Sequence, residues 1–430
     1  MQTASATAPR QKKPGIFSFR GWRVVGAGAV LQALYSGMVM QGFGQYAVVL
    51  EQQFGWSKST LSAAYSMNRA ESALLGPIQG WALDRFGARR VARLGIVMAA
   101  IGLLAFSRVQ NLWQFFGAFV LISVGTSLSG FLTVTVAIVQ WFERRRARAL
   151  SIGSMGFAIG GVLIPALAFF IEEFGWRGTA AGSAVIYLVC AWPLATYLEG
   201  TPAEHGTFVD GIDPETATPS TQPRAEGLTD VHFTAREAMR TKAFWLISLG
   251  HMSALFVVGA VLAHLSLLLT SEHGYSLTEA SFVAGGLPLV QIVGMLLGGW
   301  LGDRFNKRML ASLAMFGHTS GLLILAYANG ALMIWTFVVL HGLAWGVRGP
   351  LMQALRADYF GSTSFGSIMG VSSLIVMLGT VLGPLVAGIL ADTTGSYRTG
   401  FVVLSFLALG GVVFFTLAKP PSPPVRDQPA

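Results

Sequence analysis

The chain has 430 residues, 53% of them hydrophobic and only 11% charged, less than half the roughly 25% charge of ordinary globular proteins. Its net charge is +9. The basic residues fall between apolar runs and not on one face interleaved with aromatics, which argues against nucleic acid and for membrane topology.

Residues 1–20 are polar and basic, without the short apolar core and small-residue cleavage site of a secretory signal peptide. Apolar segments then fall near 24–49, 60–83, 91–107, 113–140, 149–171 and 179–198, and again near 244–269, 278–301, 309–328, 332–355, 365–390 and 399–418. Most approach or exceed the ~20 residues that cross a hydrocarbon core as a helix. The expectation is an all-α membrane protein with twelve transmembrane helices in two pseudo-symmetric six-helix bundles. The first bundle occupies 24–198 and the second 244–418, with tails at 1–23 and 419–430. The 52 glycines suit close helix packing in lipid. Cys190 is the only cysteine, so no intramolecular disulfide can form. Residues 199–243 are too polar to bury and read as a linker. Within it, Thr234 and Glu237 have the spacing of a capping box, which predicts a short helix before the seventh span.

Lysine and arginine fix the orientation. Of 29 in all, 23 lie in one set of loops and tails, which includes Arg85, Arg144, Arg304 and Arg356. The alternate loops hold only Lys58, Arg108, Arg177 and Arg398, and Arg69 and Arg348 fall inside spans. Both termini are therefore expected on the cytoplasmic side of the inner membrane.

Gly80–Arg90 reads GWALDRFGARR, and Gly299–Arg308 reads GWLGDRFNKR, 219 positions on. Trp141-Phe142 matches Tyr359-Phe360, and Gly175-Trp176-Arg177 matches Ser396-Tyr397-Arg398, at nearly the same offset. A repeat this long is no solenoid but two halves of one machine.

Two six-helix halves, a central linker and Asp-Arg-Phe loops after the second and eighth spans resemble the major facilitator superfamily over nearly the whole chain. Gly80, Asp84, Arg85, Gly87, Arg89 and Arg90 match its loop signature. The second copy keeps Gly299, Asp303, Arg304 and Arg308 but has Asn306 where the glycine should be. Gly379, Gly383 and Pro384 look like the family's glycine-proline motif. Within the superfamily, Trp141, Phe142, Arg144, Arg145, Arg146, Ala149 and Gly156 resemble the monocarboxylate-porter branch. The acid of that branch's N-terminal motif is missing beside Gly21-Trp22, the first span has no lysine, and the eighth has Gln291 in place of an Asp/Arg pair. The resemblance implies a secondary carrier that works by alternating access, with substrate near the midplane between the halves. In such a carrier Asp84, Arg85, Arg89, Asp303 and Arg304 would form a conformational gate. Asp84 and Asp303 would either pair with loop arginines or cap a neighbouring helix.

Polar groups deep in a span are costly and mark candidate sites. Arg348 is the sharpest of these. Its guanidinium suits a bidentate carboxylate, so it is the first substrate-binding candidate; the alternatives are a structural bridge to Glu71 or Asp358, or snorkelling to the membrane edge. Arg69 and Glu71, two residues apart, point to different faces and make no simple helix pair. Glu71 is the only acid deep in a span, so it is the candidate for proton coupling, or equally an interhelix bridge. His251 and His264 lie thirteen residues apart, ~20 Å along a helix, too far to share a metal ion; each is a cavity candidate or a hydrogen-bonded structural group. Tyr35, Gln41, Gln45, Tyr46, Asn68 and Gln140 are uncharged residues that could line a pathway.

No phosphate-binding Gly-Lys-Ser/Thr loop, nucleophile elbow or His-Glu-x-x-His run occurs, so the expectation is no enzyme, no cofactor, no metal and a gradient-driven carrier. The partners expected are a small-molecule substrate, the bilayer and a coupling proton, with the chain a monomer. A small organic anion is the leading cargo. Export of hydrophobic or cationic compounds, with Glu71 as the cation site, stands beside it, as does a transport-dead membrane sensor.

Overall fold

The computed structural model of the chain describes residues 19–40, 42–56, 71, 74–161, 164–198, 200–212, 232–275 and 277–424. Gln41, Asn68 and Arg69 lie outside them. Every regular element among the described residues is helical.

In chain order, α1 is Gly21–Tyr35, continued by a π-turn at Ser36–Met40, and α2 is Phe43–Phe54. Residues 74–86 form α3. Then come α4 (Ala88–Phe106), α5 (Leu112–Ser129), α6 (Phe131–Trp141), α7 (Arg146–Gly160) and α8 (Ile164–Ala195). The second half holds α9 (Ala235–Met239), α10 (Lys242–Glu272), α11 (Leu277–Gly302), α12 (Lys307–Ala326), α13 (Ala331–Phe360), α14 (Phe365–Thr394) and α15 (Tyr397–Leu417).

Local chemistry sets many of these boundaries. The expected capping box forms: Thr234 accepts from the Glu237 amide at 3.2 Å and Glu237 accepts from the Thr234 amide at 2.7 Å, satisfying two of the orphan donors at the start of α9. Thr241, Asn306 and Ser396 cap α10, α12 and α15 through their side chains. Gly175 divides α8 at φ 70, a left-handed conformation open to glycine at no steric cost.

Nine helices among the described residues are long and apolar enough to cross a membrane. The three other expected segments are covered differently. The 60–83 segment lies largely outside the described residues. In the segment near 91–107, α4 begins directly after the loop glycine Gly87 and carries Arg89, Arg90 and Arg93 in its first turns. In the segment near 149–171, α7 ends at Gly160 and α8 resumes at Ile164. Trp113, Leu332, Phe282 and Leu74 are 71–87% exposed; such side chains on the outer face of a bundle of apolar helices meet lipid, not water.

In the first half α4 packs against α5 and α8, and α1 against α7. In the second, α10 packs against α14 and α15, while α13 packs against α11 and α12. Gly379 and Gly383 of α14 sit on the α10 backbone at Met252 and Phe256, with no room for a Cβ. Across the halves, α7 packs on α11 and α13, and α6 on α14.

Candidate functional site

Two groups of residues stand out, one at the end of the bundle that carries the duplicated loops and one in its interior.

At the loop end, Asp84 accepts from the amides of Gly366 and Ser367 at 2.9 and 2.8 Å. These are the second and third residues of α14, whose first-turn N–H groups have no helical partner. Asp303 accepts from the amides of Ala147 and Arg148 at 3.0 and 3.3 Å, the same two positions of α7. The offset of 219 residues that relates Asp84 to Asp303 also relates Ala147 to Gly366 and Arg148 to Ser367. The two caps are therefore images of each other, and each acid serves the opposite half. Of the two roles open to these acids, Asp84 takes the helix cap, and Asp303 combines its cap with an ion pair to Arg148 at 3.5 Å.

Small residues bring these ends together. Gly76 and Gly80 of α3 lie against the backbone of α14 at Gly370 and Gly366. Gly299 and Gly302 of α11 lie against Arg148, Ser151 and Ala147 of α7. Between them sits a buried ion triad in which Asp358 meets Arg146 at 2.6 Å and Lys307 at 2.7 Å, all three side chains 4–6% exposed. Arg146 belongs to the first half and Asp358 and Lys307 to the second, so the triad also joins the halves.

The loop arginines sit differently. Arg85 is exposed over its own Trp81 and Phe86, and Arg304 over Trp300 at 4.1 Å, cation–π contacts local to the ends of α3 and α11. Arg89 is half-buried in the first turn of α4. Burial raises the Asp84 carboxyl above its ordinary range, against the pull of its hydrogen bonds from Ser367 and Gly366. Burial likewise pushes Asp303 up to about 6, although the Arg148 and Ala147 amides and the charges of Arg148 and Lys307 draw it down.

The interior group centres on Arg348, which is 1% exposed. Its Nε and Nη1 have no hydrogen-bond partner among the described residues. Of the alternatives open to Arg348, no ion pair to Asp358 is seen among the described residues; Asp358 pairs with Arg146 and Lys307. Snorkelling is also ruled out by the burial of the side chain. Glu71 accepts from Ser127 of α5 at 3.2 Å.

The structure corrects one expectation. Arg356 is not a loop residue, because α13 runs on to Phe360 and carries it inside, 1% exposed. Its Nη1 donates to the Met352 carbonyl at 3.0 Å and its Nη2 to Ser372 at 2.8 Å. Both nitrogens lie 3.4 Å from His251 Nδ1. His251 is half-buried on α10 and within electrostatic reach of both arginines.

Beyond Arg348 on α13, His341 meets His318 of α12, Nδ1 to Nδ1, at 3.1 Å with both rings fully buried. The rule that singled out His251, a polar residue in an apolar span, applies equally to these two. His264 lies apart: it meets the Pro384 carbonyl at 3.0 Å and the Tyr397 hydroxyl at 3.3 Å, tying α10 to α14 and α15. Tyr35 donates to Met40 Sδ at 3.4 Å, Tyr46 packs on Phe106, and Gln45, Gln140 and Gln291 are half-buried. No group of three His, Cys, Asp or Glu that could hold a metal occurs among the described residues.

Long apolar helices, a buried guanidinium in their midst and mirrored contacts between two repeats define the class of membrane carriers. The chain belongs to the major facilitator superfamily, whose family model matches residues 29–285 and 247–430. It is 24% identical to monocarboxylate transporter 13 of Bos taurus, over 92% of this chain and 89% of that protein. It is 27% identical to monocarboxylate transporter 11 of Mus musculus, over 93% and 88%. Among solved structures, the human organic anion transporter MFSD10 (TETRAN) superposes with a TM-score of 0.71 at 15% identity, covering 94% of this chain and all of that one. A variant of the E. coli fucose:proton symporter FucP gives 0.66 at 12%, covering 92% and 98%; likenesses this distant speak to the fold alone. The chain is a secondary transporter of a small molecule across a membrane, similar to the monocarboxylate transporters, and not an enzyme.

Proposed function

We propose that the protein is a twelve-helix, six-plus-six carrier of the inner membrane, monomeric and with both termini cytoplasmic, that moves a small organic anion, a carboxylate, by alternating access. The observation that carries the anion is Arg348. A guanidinium keeps its charge, and burying a charge costs several kcal/mol unless it is paired. Two of its donor nitrogens meet no acceptor among the described residues, and a carboxylate supplies the forked partner that guanidinium geometry fits best. The names of the similar transporters, monocarboxylate and organic anion, are consistent with that cargo. Glu71 is the proton-coupling candidate, and Arg69, Asn68, Tyr35, Gln45 and His251 are the further candidates for substrate binding. The test is a thermal-shift panel of carboxylates, sugars and organic cations on purified protein. Carboxylates are expected to stabilise it; stabilisation by cations alone would overturn the proposal and favour efflux.

The mirrored caps at the loop end act as the gate, holding the cytoplasmic side closed and letting go as the halves rock. An acid at a helix N-terminus contributes about 0.3–2 kcal/mol, enough to bias an equilibrium without fixing it. Asp84→Asn is therefore expected to slow transport severalfold while leaving substrate affinity nearly unchanged; a large loss of affinity in equilibrium binding would contradict this role.

The buried carboxyl of Asp303 gives the gate a pH dependence of defined sign. With its value near 6 in the closed contact and near 4 when hydrated, the closed form binds the proton more tightly. The closed contact is thus favoured at low pH, fully so below about 4, and this advantage is lost as pH rises through 6. Spin-label distances across this end are expected to shift toward the closed population between pH 7.5 and 5, and Asp303→Asn to remove the shift. The same response in the variant would assign it elsewhere.

A further inference from the structure

Arg348 does not stand alone. Arg356 lies eight residues further along α13, ~12 Å on the helix axis, and each arginine is within the other's electrostatic reach. His251 of α10 sits between them, 3.4 Å from both terminal nitrogens of Arg356 and close enough to Arg348 to feel its charge. The arginines are fully buried and His251 is partly so.

The partners of Arg356 carry no negative charge: the Met352 carbonyl, the Ser372 hydroxyl, itself bonded to Ser248 at 2.8 Å, and His251 Nδ1. They orient its positive charge without cancelling it, and its Nε has no partner among the described residues. The acids of the second half are committed or distant. Asp358 is held by Arg146 and Lys307, Asp303 caps α7, and Glu272 receives the Tyr397 amide and the Ser396 hydroxyl. Glu279 and Asp392 lie in the first turn of α11 and the last turn of α14. Among the described residues no hydrogen bond or ion pair joins either guanidinium to a carboxylate, so two like charges share one low-dielectric region, where each raises the cost of the other.

A cargo with one negative group would neutralise only half of this. Resting on the anion reading above, we propose that the site takes a dianionic cargo, a dicarboxylate, with one carboxylate forked on Arg348 and the second drawn to Arg356 and His251. Arg348 then binds any carboxylate, and Arg356 sets the preference for two over one. In a chain similar to monocarboxylate transporters, Arg356 is thus the specificity-determining residue.

The test is competition for binding to the full-length protein in detergent at pH 7.5, where both carboxyls of each dicarboxylate are ionised. The probes are malonate, succinate and glutarate against propionate and butyrate. A dicarboxylate is expected to bind more tightly than the monocarboxylates by roughly 10-fold or more, the size of a charge-assisted hydrogen bond. Arg356→Gln is expected to erase that ratio, and Arg356→Lys, which keeps the charge, to retain part of it. A wild-type ratio near one, or a ratio unchanged in Arg356→Gln, would overturn the dianion. The wild-type ratio decides the matter even if a variant fails to fold. Absence of binding by every carboxylate would instead overturn the anion reading beneath it.

Discussion

Arg348→Gln is expected to abolish carboxylate uptake into proteoliposomes, lowering affinity by about 100-fold or more while the protein stays folded. A charge-assisted, bidentate pair in a region of low dielectric is worth about 1.5–3 kcal/mol per hydrogen bond, and Gln offers neither the fork nor the charge. The fold is expected to survive because the side chain of Arg348 ties nothing together: its Nε and Nη1 meet no acceptor among the described residues. Removing an unpaired buried charge also relieves a desolvation cost. Unfolding and transport thus move in opposite directions, a pattern that a structural arginine would not show. Uptake at the wild-type rate in the variant would remove Arg348 from the substrate site.

Asp358→Asn is expected to have the opposite profile, with a heavy cost to stability. Asp358 is the only acid of the buried triad, and its loss leaves Arg146 and Lys307 close together and uncompensated. Breaking a buried ion pair by removing one partner costs about 3–5 kcal/mol, a large share of a typical margin of about 5–15 kcal/mol. The melting temperature in detergent is expected to fall by many degrees. Adding Lys307→Met to Asp358→Asn is expected to restore part of the loss, because the two sites share one network and are not additive. An unchanged melting temperature in the single variant would show that the triad is hydrated and weak. The triad also spans the halves, so the variant is expected to loosen the end closed by Asp84 and Asp303.

How far the sequence foretold these features depends on the range of the physics involved. The helices were legible because lipid forces every backbone polar group to be satisfied within a segment, which leaves a long apolar run few other fates. The capping box at Thr234 and Glu237 was legible because it is complete within four residues. Arg348 was legible because a charge inside an apolar run is conspicuous wherever its partner lies. Arg356 was not. The apolar run ends at 355, and an arginine at such an edge can turn outward to water or inward to Ser372 and His251; only the packing of α13 on its neighbours decides. The triad was hidden for a similar reason, since Arg146 and Asp358 are 212 residues apart and each alone reads as an ordinary helix-end charge. The duplicated loops announced a repeated device, but the exchange of acids between halves, Asp84 onto α14 and Asp303 onto α7, required the packing of the halves to be seen.

The role proposed for Arg348 is to receive an anionic cargo that the two halves expose to each side in turn. It is tested most directly by counterflow, in which purified wild-type protein in liposomes loaded with unlabelled carboxylate is given a trace of the labelled compound outside. Transient accumulation of label is expected that depends on the internal carboxylate and disappears in Arg348→Gln. Accumulation of an organic cation under the same conditions, with no carboxylate exchanged, would contradict it.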